Sequence, residues 1–202
     1  MPQDQDLLPM LVVVSGPPGT GKTTLAHALA RAIGCPAVCR DEIKEGMVHA
    51  TPDFGPSPDG ALDLRVLPVF FGTLDLLLRA GVTVVAEAAF QDRLWRPGLL
   101  PLLAHARTRV VHCTVDPAVA AARIRQRRID EPRRSTHVDP RHPAAPLAVF
   151  DRVALDVPSV EVDTTSGYQP GLTSIVDFVN RADDQGPHRS GGNVKGETCS
   201  EM

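Results

Sequence analysis

The chain has 202 residues, 43% of them hydrophobic, and a formal net charge of −3. That length suits one domain with a substantial core, and the weakly acidic balance argues against broad attraction to nucleic acid or to anionic membranes. No apolar run approaches the ~20 residues of a membrane span, and the cysteines form neither a C-x-x-C pair nor a familiar zinc spacing, so a soluble protein of a reducing cytoplasm is expected.

Residues 1–8 read as a loose polar leader, and Met10 to Val14 as an apolar first strand. The stretch Gly16 to Thr23, Gly-Pro-Pro-Gly-Thr-Gly-Lys-Thr, then satisfies the phosphate-loop pattern G-x-x-x-x-G-K-[ST]. Leu25, Ala28, Leu29, Ala32 and Ile33 follow at helical spacing, and Gly34 with Pro36 stops the helix. Strand, glycine loop and helix is the context the pattern requires. Gly16, Gly19 and Gly21 let amide N–H groups turn toward a polyphosphate at the positive end of a helix, while Pro17 and Pro18 stiffen the turn. Lys22 is placed to reach the β- and γ-phosphates, and the Thr23 hydroxyl to ligate Mg²⁺; Thr20 and Thr24 complete the candidate nucleotide site. The expected ligands are ATP, with GTP as the alternative, and Mg²⁺.

Ala37 to Arg40 predicts a brief second strand, and Asp41 opens a helix lasting to about His49, where it also suits an N-cap. Thr51 to Gly60, rich in proline and glycine, reads as a loop at the edge of a cleft. The apolar spacing from Leu62 to Arg79 predicts a helix that Pro68 kinks or breaks. Val82 to Ala86 predicts a parallel strand covered on both faces and closed by Glu87, an acid that needs magnesium, water or an arginine if buried. Phe90 to Pro97 reads as a loop whose Arg93 and Arg96 are candidates to hold substrate or phosphate, ahead of a short helix from Gly98 to Ala106.

Arg109 to Val115 predicts the fourth strand, with His112 as a hydrogen-bonded core group. Asp116-Pro117 opens the next helix as N-cap and first helical residue. Arginine and proline then dominate to Arg141, a further helix is expected from Pro146 to Leu155, Ser159 to Val162 is the fifth strand, and Leu172, Ile175, Val176 and Val179 mark a final helix. The remaining histidines form no constellation. Together these elements predict an α/β domain of three layers: a five-stranded parallel sheet, helices on both faces and an arginine-rich helical lid. It is expected to span residues 1–182, with the lid at about 123–155 and a disordered tail at 183–202. At the carboxyl ends of the strands Asp41, Glu87 and the Arg93 region would converge on the nucleotide.

The chain resembles the small P-loop kinases related to adenylate kinase, especially the chloramphenicol phosphotransferase-like, zeta-toxin-like and polynucleotide-kinase-like ATP-binding proteins of AAA type. The resemblance covers about Leu11 to Val179 and rests on Gly16 to Thr24, on Cys39-Arg40-Asp41-Glu42-Ile43, on Val82 to Glu87, on the arginine-rich segment and on Val162-Asp163-Thr164-Thr165. It implies transfer of the ATP γ-phosphate to a hydroxyl, with Asp41 as base and Glu87 standing where an aspartate often orients magnesium. It implies a lid supplying arginines to the phosphates from among Arg123, Arg127, Arg128, Arg133 and Arg134. The acceptor is expected to be a small molecule such as an antibiotic, a nucleoside or another metabolite, and the protein a monomer or homodimer. A nucleic-acid end kinase, a zeta-toxin-like nucleotide-sugar kinase and a nucleotide-dependent switch or ATPase are the alternatives. The single Trp and single Tyr weigh against the first, because a strand-binding groove uses aromatic platforms.

Overall fold

A computed structural model describes residues 8–50, 61–130 and 150–181. Five strands, β1 (Met10–Ser15), β2 (Ala37–Cys39), β3 (Val84–Ala88), β4 (Arg107–Thr114) and β5 (Ser159–Asp163), form one all-parallel sheet in the order β2-β3-β1-β4-β5. The helices are α1 (Lys22–Ile33), α2 (Arg40–His49), α3 (Ala61–Arg79), α4 (Asp92–Leu99), α5 (Pro117–Asp130) and α6 (Leu172–Asn180). The expected α/β sheet with helices on both faces is therefore present.

Every residue of β1 is buried, as a central parallel strand requires. Successive side chains leave a strand on opposite faces, so Leu11 and Val13 enter one core with Phe70 and Leu74 of α3 and Trp95 of α4. Met10, Val12 and Val14 enter the other, with Leu25 and Leu29 of α1 and Ile175 and Val179 of α6. The same alternation decides the site. On β3, Val84, Ala86 and Ala88 face the α3 side while Val85 faces α1, so Glu87, two residues beyond Val85, points toward the start of α1.

Several expected boundaries move. Glu87 does not close β3 but lies inside it, 2% exposed and paired in register with Val14 of β1 and Cys39 of β2. Pro68 does not break α3, which runs continuously past it with the proline on an exposed face, where water can serve the carbonyl its ring leaves unpaired. The loop expected at Phe90 to Pro97 is mostly helix α4, and a 3-10 turn over Leu100–Ala104 replaces the helix expected there. Trp95 accounts for this: it is buried among Phe70, Phe71 and Phe90, with ring centroids 5.8, 5.8 and 5.0 Å away, and one helical turn brings Leu99 into the same core. Residues 150–155 are not helical. They run extended, with a bridge from Arg152 to Gln91, and bond the start of α4 through Ala154 N–H to the Asp92 carboxylate at 2.8 Å.

The cleft loop at 51–60, most of the lid including Arg133 and Arg134, and the tail at 183–202 lie outside the described residues. Among the described residues no helix is long and apolar enough to cross a membrane.

Phe70 is fully buried at the centre of the aromatic group that joins α3 to α4. Truncating a buried phenylalanine costs about 3–5 kcal/mol, and each kcal/mol lowers Tm by about 2–4 °C in a domain of this size. Phe70→Ala is expected to lower Tm by roughly 10 °C in thermal melts.

Candidate functional site

The loop between β1 and α1 is fixed by close approaches that exclude a side chain. A Cβ on Gly16 would lie 2.7 Å from the Cys113 carbonyl oxygen, and one on Gly19, at φ +83°, would lie 2.8 Å from the Ala120 carbonyl oxygen. Gly21 caps α1 in the left-handed region at φ 70°. Thr20 is fully buried and its hydroxyl donates to Pro17 O at 2.9 Å, while Pro18 and Thr24 are exposed. No side chain caps α1. Its first N–H groups and its dipole are therefore directed at whatever lies in the loop, an arrangement that suits a phosphate.

Lys22 and Thr23, the first two residues of α1, meet Glu87. Lys22 Nζ lies 3.9 Å from Glu87 Oε1, with side chains 13% and 2% exposed. The Thr23 hydroxyl and the Cys39 thiol lie close enough to the Glu87 carboxylate to favour its charged form. Burial raises the Glu87 pKa, and the charge of Asp41 adds to the rise; Lys22, Thr23 and Cys39 offset it. The hydroxyl of Thr23 and the Glu87 carboxylate form an all-oxygen donor pair beside the phosphate loop, chemistry that fits Mg²⁺ better than a softer metal.

Asp41 is not the N-cap of its helix. Strand β2 runs directly into α2, so extended Cys39 occupies that position and Asp41 falls within the first turn. Its side chain is 56% exposed and pairs with Arg40 at 2.8 Å, close enough to Glu87 for its charge to be felt there. Asp41, Glu87, Lys22 and Thr23 are thus brought together at the carboxyl ends of β1, β2 and β3.

The arginines behave differently from one another. Arg123 packs behind the loop, donating to Gly19 O at 3.4 Å, Thr164 O at 2.7 Å, Thr165 O at 3.4 Å and Thr164 Oγ1 at 3.2 Å. Arg127 is exposed on α5, and the side chain of Arg128 is outside the described set. Arg93 is exposed on α4 and Arg96 pairs with Asp92 at 3.9 Å. None of these three described side chains is in contact with the Lys22–Glu87 pair.

Three features escape a reading of the sequence. A cavity of about 160 Å³ opens beside Gly16 and Pro17, walled by His112, Phe150 and Arg152. His112 is therefore not a hydrogen-bonded core group: it is half-buried, its Nδ1 has no hydrogen-bond partner among the described residues, and burial and Arg152 lower its pKa. Thr164 holds the loop from below, its hydroxyl 2.7 Å from Thr20 O and 3.1 Å from Thr114 O. Finally, the histidines do supply a constellation, because His27 Nε2 lies 2.7 Å from Glu42 Oε1 and 3.6 Å from Cys39 Sγ. The Cys39-Arg40-Asp41-Glu42 spacing hints at the last feature; the other two join residues too distant in sequence to leave a signal.

The profile of the AAA domain family (AAA_33) matches residues 11–153. No curated protein matches the sequence significantly. Among solved structures, a proposed kinase from Chloroflexus aurantiacus J-10-fl is 26% identical, with a TM-score of 0.74 over 85% of this chain and 97% of that one. APS kinase CysC of Mycobacterium tuberculosis, solved with AMPPNP and APS, is 14% identical with a TM-score of 0.59 over 86% and 99% of the two chains. An unliganded sugar kinase from Janibacter sp. HTCC2649 is 18% identical with a TM-score of 0.52 over 84% and 91%.

Because its pKa is raised above the ordinary 4.5, Glu87 holds a proton more tightly folded than unfolded. Wild-type stability contributed by this group is therefore present below that ordinary value and is lost as pH rises through the raised one. Glu87→Gln cannot titrate, so its Tm minus that of wild type is expected to increase from about pH 4 to about pH 7, measured without nucleotide. A difference that stays flat or falls would contradict the burial argument.

Proposed function

Because the chain belongs to the AAA domain family and has the fold of the P-loop kinases, we propose that it is an ATP-dependent kinase that phosphorylates a hydroxyl of a small molecule. The observation that carries this reading is the meeting of the phosphate-loop residues Lys22 and Thr23 with Glu87 and, at the same strand ends, Asp41. A loop that holds a polyphosphate is common to many nucleotide-binding proteins. A second, exposed carboxylate beside the transferable phosphate is what an acceptor hydroxyl needs.

In this proposal Gly16, Pro17, Pro18, Gly19, Thr20 and Gly21 enclose the phosphates, with Thr24 at the rim. Lys22 offsets the negative charge that builds as the β–γ bridging bond breaks. Thr23 and Glu87 would hold Mg²⁺, which when bound would supply neutralisation of phosphate charge. Asp41 accepts a hydrogen bond from the acceptor hydroxyl and takes its proton as the new oxygen–phosphorus bond forms and ADP departs. Arg40, paired with Asp41 at 2.8 Å, restrains that carboxylate. Arg123 serves the nucleotide side by fixing the loop through Gly19 O. Arg127 and Arg128, on the helix that leads into residues 131–149, are the arginines placed nearest in sequence to close over the phosphates; Arg93 and Arg96 would bind the acceptor from α4.

A small acceptor fits better than a nucleic-acid strand. The formal charge is −3 and aromatic residues make up 4% of the chain, whereas strand-binding grooves combine spread positive charge with aromatic stacking.

The test is a panel of hydroxyl-bearing metabolites and antibiotics incubated with ATP and Mg²⁺ and read by mass for one added phosphate. With an acceptor in hand, Lys22→Ala is expected to abolish transfer. Asp41→Asn is expected to slow transfer by about 10²-fold or more, the range for loss of a general base, while ATP affinity and Tm stay near wild type because Asp41 caps no helix. Full transfer by Asp41→Asn would remove this residue from the chemistry, and ATP turnover that proceeds equally well without any acceptor would favour an ATPase.

A further inference from the structure

We propose that His27, Cys39 and Glu42 form a binding site for a thiophilic divalent metal of the zinc class that bridges α1 and α2, a property independent of the kinase reading. Their three ligand atoms lie within 4.8 Å of one another. Cys39 immediately precedes α2 and Glu42 falls one turn later, so both project from the same end of that helix; His27 comes from α1, one turn beyond Thr23.

The distances fit a metal site with one adjustment. Zinc bonds of ~2.3 Å to sulfur and ~2.0–2.1 Å to nitrogen, at a tetrahedral angle, separate the two ligand atoms by ~3.6 Å. Cys39 Sγ and His27 Nε2 are 3.6 Å apart. An imidazole nitrogen and a carboxylate oxygen on the same ion stand ~3.4 Å apart, so the 2.7 Å between His27 Nε2 and Glu42 Oε1 must open. Both of those side chains are more than 40% exposed and have room to do so. An ion pair explains why His27 and Glu42 meet. A thiol–imidazole hydrogen bond accounts for Cys39 beside His27; the case for a metal is that sulfur, nitrogen and carboxylate oxygen converge within 4.8 Å. The sulfur and nitrogen donors favour zinc over Mg²⁺, and the exposed side leaves a fourth position for water.

Such an ion would tie the first turns of α1, which carry Lys22 and Thr23, to the first turn of α2, which carries Asp41. The donor set differs from the oxygen pair at Thr23 and Glu87, so excess Mg²⁺ is not expected to displace it.

The test uses the metal-free full chain under a thiol-free reductant. Zn²⁺ affinity is read by competition with a chromophoric chelator, and Co²⁺ is used to report thiolate ligation by its charge-transfer absorption. One equivalent is expected to bind. His27→Gln and Glu42→Gln should each weaken affinity by roughly tenfold or more, and Cys39→Ser should remove the cobalt–thiolate band, whereas Cys35→Ser and Cys199→Ser should retain it. Zn²⁺ should also raise the Tm of wild type more than that of Glu42→Gln. The proposal is overturned if His27→Gln and Glu42→Gln bind within twofold of wild type, or if the cobalt–thiolate band is missing or follows Cys35 or Cys199. Should Cys39→Ser fail to fold, the two variants on the exposed side decide the question.

Discussion

A carboxylate buried inside a parallel sheet is the constraint around which this structure is arranged. Glu87 is 2% exposed in β3, where an ionised group without partners would be costly. The cost is met by three residues from two elements: Lys22 and Thr23 from α1 and Cys39 from the end of β2. Each reaches Glu87 only because the sheet order sets β3 between β2 and β1 in a register that aligns Glu87 with Cys39 on one side and Val14 on the other. Apolar residues packed in the place of such a pair are often as stabilising or more so. Its retention at the mouth of a phosphate loop is consistent with use rather than with stability.

The loop itself is held rigid by contacts that have nothing to do with a ligand. Gly16 lies against β4 and Gly19 against α5, so closely that a Cβ on either would collide with a backbone carbonyl oxygen. From below, Thr164 and Arg123 bind the carbonyl oxygens of Thr20 and Gly19. Those carbonyls are thereby occupied and turned away from the cleft. The loop's N–H groups remain for a polyanion, which a flexible glycine segment would present only at an entropic cost.

The segment after residue 149 has a comparable role on the opposite face. Arg152 and Val153 return along the start of α4, where Gln91 and Asp92 fix them, and Arg152 joins His112 in walling the cavity beside Gly16. Helix α5 packs against the loop where Ala120 meets Gly19, and the return at Arg152 walls the cavity beside Gly16.

Much of this was legible in the sequence, and the reason is local. The phosphate loop is one contiguous pattern whose glycines are demanded by backbone geometry within eight residues; the apolar runs of β1 and β3 announce strands buried on both faces; and Asp116-Pro117 opens α5 as read, with the Asp116 carboxylate accepting from Ala118 N–H at 2.8 Å. Misreadings arose where tertiary contact overrode local preference. Phe90 to Pro97 read as a loop, but burial of Trp95 among three phenylalanines makes it helical. Asp41 looked like a cap, but β2 enters α2 without a loop. The sequence by itself therefore determined the fold class, the glycine geometry of the phosphate loop and the candidate acids. Only the tertiary structure decided that Glu87 faces Lys22, that Arg123 braces the loop, and that His27, Cys39 and Glu42 share one point in space. Those relations depend on sheet order and on the two-residue alternation of strands, which bring together side chains tens of residues apart and leave no mark on neighbours in the chain.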